Sequence, residues 1–224
     1  MVQKRFAFLW LCILVCGRLA AQSPLPFEAE IRAFERLDSM ENPATGQILL
    51  YGSSTMRLWT TYKTDLFGFP VINRSFGGSQ MSDAVYYFDR VVVPLAPSWI
   101  LLYEGDNDLS NGKKSPEQVF ADYKTFMKLV QQKLPKTKVA IYTLRPSLAR
   151  ESLMPQQRQL NALFQKYSRK HRKRAYFINA YQLLLTPEGK PNGDLLATDK
   201  LHLNAKGYAV WTQVSRDFLK KQKL

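Results

Sequence analysis

Five short apolar runs punctuate the chain, at residues 48–51, 70–73, 99–103, 139–143 and 175–178. Each is unbroken rather than alternating, the pattern of strands buried on both faces of a parallel sheet. Helical patterns lie between them. The clearest begins at Ser115, with Pro116 at the first helical position and Gln118 placed to complete a capping box. Its apolar residues Val119, Tyr123, Phe126, Val130 and Leu134 recur at helical spacing, and Pro135 stops it. A second helix carries Leu160, Leu163, Phe164 and Tyr167 on one side. A last one, opened by Asn204, presents Val210, Trp211, Val214 and Phe218. A polar, acidic lead over residues 27–42 also reads as helical. Strands alternating with helices predict an α/β protein with a parallel sheet covered on both faces. The sequence shows no internal repeat, low-complexity tract or interdomain linker.

The first residues carry a different signal. Lys4 and Arg5 precede an apolar run at 6–16, and small residues Ala20 and Ala21 follow. This is the layout of a secretory signal peptide, with cleavage expected after Ala21, although Leu19 is bulky for its place before the cut. A lipid anchor on Cys16 is the rival, with Val15 standing where a small residue is expected. The run is shorter than the roughly 20 residues that span a bilayer as a helix, so the processed chain is expected to be soluble and exported. The expected organisation is a signal peptide at 1–21 and a single domain at 22–224.

Composition narrows the chemistry. The chain's two cysteines are Cys12 and Cys16, both inside the signal segment. The processed protein therefore has no thiol for disulfides, thiolate metal sites or nucleophilic catalysis. About 200 residues bury a sufficient core without such staples. The precursor carries 32 Lys and Arg against 18 Asp and Glu, for a net charge of +14. Removing Lys4, Arg5 and Arg18 leaves 29 against 18, or +11. Such a balance favours encounter with anionic surfaces. Its densest part, 166–174 (KYSRKHRKR), reads as a solvated helix end more readily than as a nucleic-acid or lipid patch, because no nucleic-acid module accompanies it.

In parallel sheets, ligands gather where the carboxyl ends of the strands meet the following loops. Polar motifs stand at those places. Gly52-Ser53-Ser54-Thr55 follows the first run, Asn73-Arg74-Ser75-Phe76-Gly77-Gly78-Ser79 the second, and Gly105-Asp106-Asn107-Asp108 the third. Asp199-Lys200-Leu201-His202 precedes the final helix. A serine hydroxyl needs a neighbouring base to become a nucleophile, and the base works better when a third group fixes its tautomer. His171 and His202 are the only histidines, and His171 is embedded in the basic run. His202 is therefore the candidate base, with Asp199 three residues earlier to orient it. Taken singly, each motif has a plainer reading. Gly-Ser-Ser-Thr commonly marks a turn or helix cap, paired glycines serve turns, and an Asp before a helix caps it. On local sequence alone Ser53, Thr55 and Ser79 compete with Ser54.

Placed together at successive strand ends, these motifs resemble the SGNH hydrolases, also called GDSL-type esterases and lipases. The resemblance runs over about 48–208 and covers the family's sequence blocks in order. It implies a five-stranded parallel α/β/α sandwich of flavodoxin-like layout. It also implies Ser54 as nucleophile, Asp199 and His202 as the rest of the triad, and Ser54, Gly78 and Asn107 as oxyanion donors. Ser53 stands where the family name has Asp, and Ser75 where Gly is common, which reads as the mark of a subgroup. The stretch 144–150 (LRPSLAR) fits that subgroup, and its Arg145 and Arg150 either meet an anionic substrate group or form structural ion pairs. No cofactor is implied, and there are too few ligands for a transition metal. A hard cation between Asp106 and Asp108 has no supporting spacing. The expected activity is hydrolysis of small acyl esters, with carbohydrate acetyl esters included. The expected partner is a small-molecule or carbohydrate ester, with no nucleic acid and no stable membrane insertion. The alternative is a non-catalytic protein whose basic surface docks on anionic polysaccharide or lipid.

Overall fold

The computed structural model describes residues 26–224; the expected signal segment at 1–21 and the two cysteines lie outside them. Five strands, β1 (Ile48–Gly52), β2 (Val71–Asn73), β3 (Trp99–Tyr103), β4 (Lys138–Tyr142) and β5 (Ala175–Ile178), pair in parallel in the order β2-β1-β3-β4-β5. The helices are α1 (Glu28–Glu41), α2 (Ser54–Arg57), α3 (Tyr62–Asp65), α4 (Met81–Tyr86), α5 (Phe88–Val91), α6 (Asp106–Ser110), α7 (Pro116–Lys133), α8 (Met154–Lys170) and α9 (Ala205–Lys221).

Right-handed crossovers explain the layers. Connections running from β2 to β3, β3 to β4 and β4 to β5 put α4, α5, α7 and α8 on one face, where α4 packs on α7 and α7 on α8. The connection from β1 to β2 and the last helix use the other face, where α3 packs on α9. Each face has its own aromatic core. On the α9 side, Trp211 stacks on Tyr142 with centroids 4.7 Å apart and meets Tyr103 edge-on at 5.1 Å. On the other side, Tyr51 packs against Phe126 and donates its hydroxyl to the Ala84 carbonyl at 3.0 Å.

The local punctuation behaves as expected. Ser115 and Gln118 form a complete capping box at the start of α7, and Asn204 accepts from the Gly207 N–H to open α9. Central strands β1 and β3 are buried throughout, but β2 and β5 are only half-buried. The expectation of strands covered on both faces therefore fails for these two. They are the edges of the sheet, and an unbroken apolar run does not reveal which strand is an edge.

Strand order fixes where a site can form. From β1 the chain crosses toward β2, and from β3 toward β4, so the crossovers leave adjacent strands in opposite directions. A crevice opens at the carboxyl ends of such a pair. Gly52 ends β1 there with φ 155°, and a Cβ on it would stand 2.2 Å from the Tyr103 carbonyl oxygen of β3. Only glycine allows the two strands to close at this level. Ser54 and Asn107 follow these two strand ends.

Candidate active site

Ser54 begins α2, a single turn, immediately after β1. Its Oγ lies 2.9 Å from His202 Nε2, and His202 Nδ1 lies 2.6 Å from Asp199 Oδ2. A carboxylate only accepts hydrogen bonds, so Nδ1 carries the proton and Nε2 presents a lone pair to the serine hydroxyl. The other Asp199 oxygen accepts from the backbone N–H groups of Leu201 and His202, both at 2.9 Å. These bonds lock the loop that carries the imidazole. The His202 hydrogen bond, joined by those two N–H groups, lowers the Asp199 carboxyl from 3.8 to about 2. It is ionised at any ordinary pH. The Asp199 side chain is nevertheless 48 % exposed, so the site opens to solvent.

The competing hydroxyls point elsewhere. Thr55 is buried with Oγ1 against the Arg145 guanidinium at 3.2 Å, and Ser79 is buried with its hydroxyl donated to Glu104 at 2.5 Å. Ser53 is buried as well. Of these hydroxyls, that of Ser54 is the one beside an imidazole. His171 stacks on the Tyr167 ring at 4.1 Å, and the basic run occupies the end of α8 nearest the amino ends of the strands. A cavity of about 470 Å³ there is lined by 169–174 and by Tyr167, Met127 and Val130, and includes none of the motif residues.

Gly78 and Asn107 lie in the segments that follow β2 and β3. Gly78 has φ 79°, and nothing lies within 4 Å of where its Cβ would be. Among the described residues, neither its N–H nor that of Ser54 has a hydrogen-bond acceptor. Asn107, on α6, donates from Nδ2 to the Ser79 carbonyl at 2.9 Å. Ser54, Gly78 and Asn107 thus follow the ends of three neighbouring strands, β1, β2 and β3.

Several supports were not legible in the sequence. Glu30 on α1 accepts from the Gly77 N–H at 3.2 Å, across 47 positions. Glu104, buried under the same loop, keeps Oε2 without a partner among the described residues. Burial pushes its carboxyl well above the usual range, which favours the protonated form. A lone acid ending an apolar strand was the available signal for Glu104; nothing local marked Glu30. Tyr208 on α9 donates to the Thr55 carbonyl at 2.8 Å and ties α2 to the last helix.

The two candidate arginines part ways. Arg145 is buried against Thr55, with Nη1 unpartnered among the described residues. Arg150 forms an ion pair with Asp106 at 2.5 Å. Asp106 and Asp108 do not converge on a common point for a cation. Asp106 faces Arg150 and Gln157, while Asp108 accepts from the Met81 N–H and Lys114.

Comparison with known proteins agrees with this fold. Residues 49–210 match the GDSL-like lipase/acylhydrolase family model. Similar solved structures include a GDSL-like lipase from Bacteroides thetaiotaomicron (TM-score 0.69, 18 % identity, covering 85 % of this chain and 98 % of that one). A lipase/acylhydrolase from Enterococcus faecalis matches with TM-score 0.65 and 18 % identity, over 80 % of this chain and 97 % of the other. A carbohydrate esterase family 3 protein from Talaromyces cellulolyticus matches with TM-score 0.64 and 14 % identity, over 80 % and 98 %. Among curated proteins, none matches the sequence.

Proposed function

Because the chain belongs to the GDSL-like lipase/acylhydrolase family, we propose that it is an exported serine esterase that releases small acyl groups, acetyl esters of carbohydrate among them. The observation that carries this reading is His202, whose two ring nitrogens meet Ser54 Oγ and Asp199. That is the pairing a serine needs to act as a nucleophile.

In the proposed reaction, His202 Nε2 takes the Ser54 proton as Oγ attacks the ester carbonyl. Negative charge then develops on the former carbonyl oxygen and is met by the N–H groups of Ser54 and Gly78 and by Asn107 Nδ2. The imidazolium returns its proton to the departing alcohol, leaving Ser54 acylated. Water, deprotonated by the same nitrogen, releases the acid and restores the serine. Asp199 holds the imidazole tautomer and offsets its positive charge in both steps.

Export rests on the pattern at residues 1–21, and no helix among the described residues is long and apolar enough to cross a membrane. Small acyl groups fit a serine bordered by exposed loops, because among the described residues there is no extended apolar lid to cover a long tail. The open approach also admits a bulky alcohol such as a polysaccharide. Likeness to a carbohydrate esterase supports that preference through the fold alone.

Ser54→Ala tests the reading directly. The variant should fold and lose p-nitrophenyl acetate hydrolysis, and a fluorophosphonate probe should label the wild type at Ser54. A folded protein that resists the probe would favour the alternative of a basic, non-catalytic docking protein. A panel of esters of increasing acyl length, run beside acetylated xylan, addresses the substrate. Equal rates along the panel would sink the small-acyl preference.

A further inference from the structure

A carboxamide presents an acceptor at one end and two donors at the other, whereas a guanidinium only donates. Arg150 Nη2 lies 2.9 Å from Asn107 Oδ1. The arginine and the Ser79 carbonyl, a donor and an acceptor, together set which way the amide points. With Oδ1 committed to Arg150, Nδ2 is turned to the Ser79 carbonyl, where it spends one hydrogen. The second hydrogen of Nδ2 is left for a ligand.

The guanidinium is itself held. Nη1 pairs with Asp106 Oδ2, and Asp106 Oδ1 accepts from Gln157 Nε2 of α8 at 2.9 Å. Exposure is only 10 % for the Arg150 side chain and 5 % for that of Asp106, so water competes weakly for these bonds. Arg150 lies at the kink between two helical turns of the segment Leu148–Leu153, whose Ala149 N–H donates to the Lys200 carbonyl at 3.0 Å. Lys200 lies between Asp199 and His202. One segment therefore touches both the amide beside the serine and the loop that carries the base.

We infer that Arg150 is a positioning residue, which holds the Asn107 carboxamide with Nδ2 toward the reacting carbonyl. This rests on the reading of Asn107 as an oxyanion donor. An amide free to turn over would present Oδ1 to the developing negative charge for part of the time, repelling it where it should be stabilised. A purely structural Arg150–Asp106 pair would instead affect folding and leave turnover of the folded protein unchanged.

A double-mutant cycle with Asn107→Ala separates these possibilities, using the full chain, p-nitrophenyl acetate and a melting curve for each variant. Losing one oxyanion donor outright typically lowers kcat about 10²–10³-fold. Arg150→Ala should lower kcat by about tenfold or more with KM within about twofold, a loss confined to the transition state. In the Asn107→Ala background the same substitution should change kcat by less than about threefold, since the group it orients is gone. Arg150→Met retains the packing of the stem without the fork and makes the same comparison if the alanine variant fails to fold. Wild-type kcat in a folded Arg150 variant, or equal loss in both backgrounds, would overturn the inference. Wild-type kcat in Asn107→Ala alone would overturn the oxyanion reading beneath it, a separate and recognisable result.

Discussion

His202 Nε2 lies 2.9 Å from Ser54 Oγ across 148 positions of sequence. The contact depends on β1 ending beside the loop that opens α9, and on Asp199 fixing which nitrogen faces the serine.

Asp199→Asn should leave the fold intact and lower kcat on p-nitrophenyl acetate by about 10²–10⁴-fold, because the amide no longer enforces the Nδ1–H tautomer. A carboxyl lowered to about 2 contributes stability above its ordinary value of 3.8 and loses it as pH falls toward 2. At about half exposure that contribution is small. Protonation of Asp199 should therefore not account for any loss of activity between pH 7 and pH 4. Unchanged kcat in the asparagine variant would remove Asp199 from the mechanism.

Glu104 predicts a pH effect of opposite sign. Its carboxyl is raised on folding, so above the ordinary value of 4.5 the unfolded chain releases a proton that the folded chain keeps. Its contribution is full below that value and declines as pH rises. Glu104→Gln mimics the protonated form and should flatten the fall in Tm from pH 5 to pH 9. An identical fall in wild type and variant would show that Glu104 ionises freely in the folded protein.

The glycines at the site should differ in what they tolerate. Gly52→Ala drives a methyl into the Tyr103 backbone, and neither strand can yield. It should cost more than the ~1–3 kcal/mol of a strained residue and leave little folded protein. Gly78→Ala meets open space and pays only the strain of its positive φ. It should fold, with its loss appearing in kcat through a displaced N–H. Comparable expression and melting of the two variants would contradict this.

Trp211 tests the core on the α9 side. It is fully buried against Tyr142 and Tyr103. Trp211→Ala should destabilise by about 3–5 kcal/mol in urea unfolding. Tyr208, three residues earlier on α9, holds the Thr55 carbonyl, so residual activity should fall as well. Destabilisation below about 1 kcal/mol would mean that α9 does not anchor this face.

The sequence by itself determined the strands and the long helices. Bounds for β3 and β5 match their apolar runs, and the capping box of α7 and the Asn204 cap of α9 form where the residues stand, because periodicity and caps act within a few positions. It also set out the candidate side chains: scarcity singled out His202, and motif order brought Gly78, Asn107 and Asp199 into view. Tertiary structure decided the rest. It made β2 and β5 the edges, since strand order is a property of packing and not of any one run. It placed Ser54 beside the imidazole and turned Thr55 and Ser79 away, although all three hydroxyls look alike in sequence. It brought Glu30 to Gly77 and Arg150 to Asn107, 47 and 43 positions apart. A hydrogen bond forms over about 3 Å of space and is indifferent to the chain between its partners, so local pattern carries no trace of it.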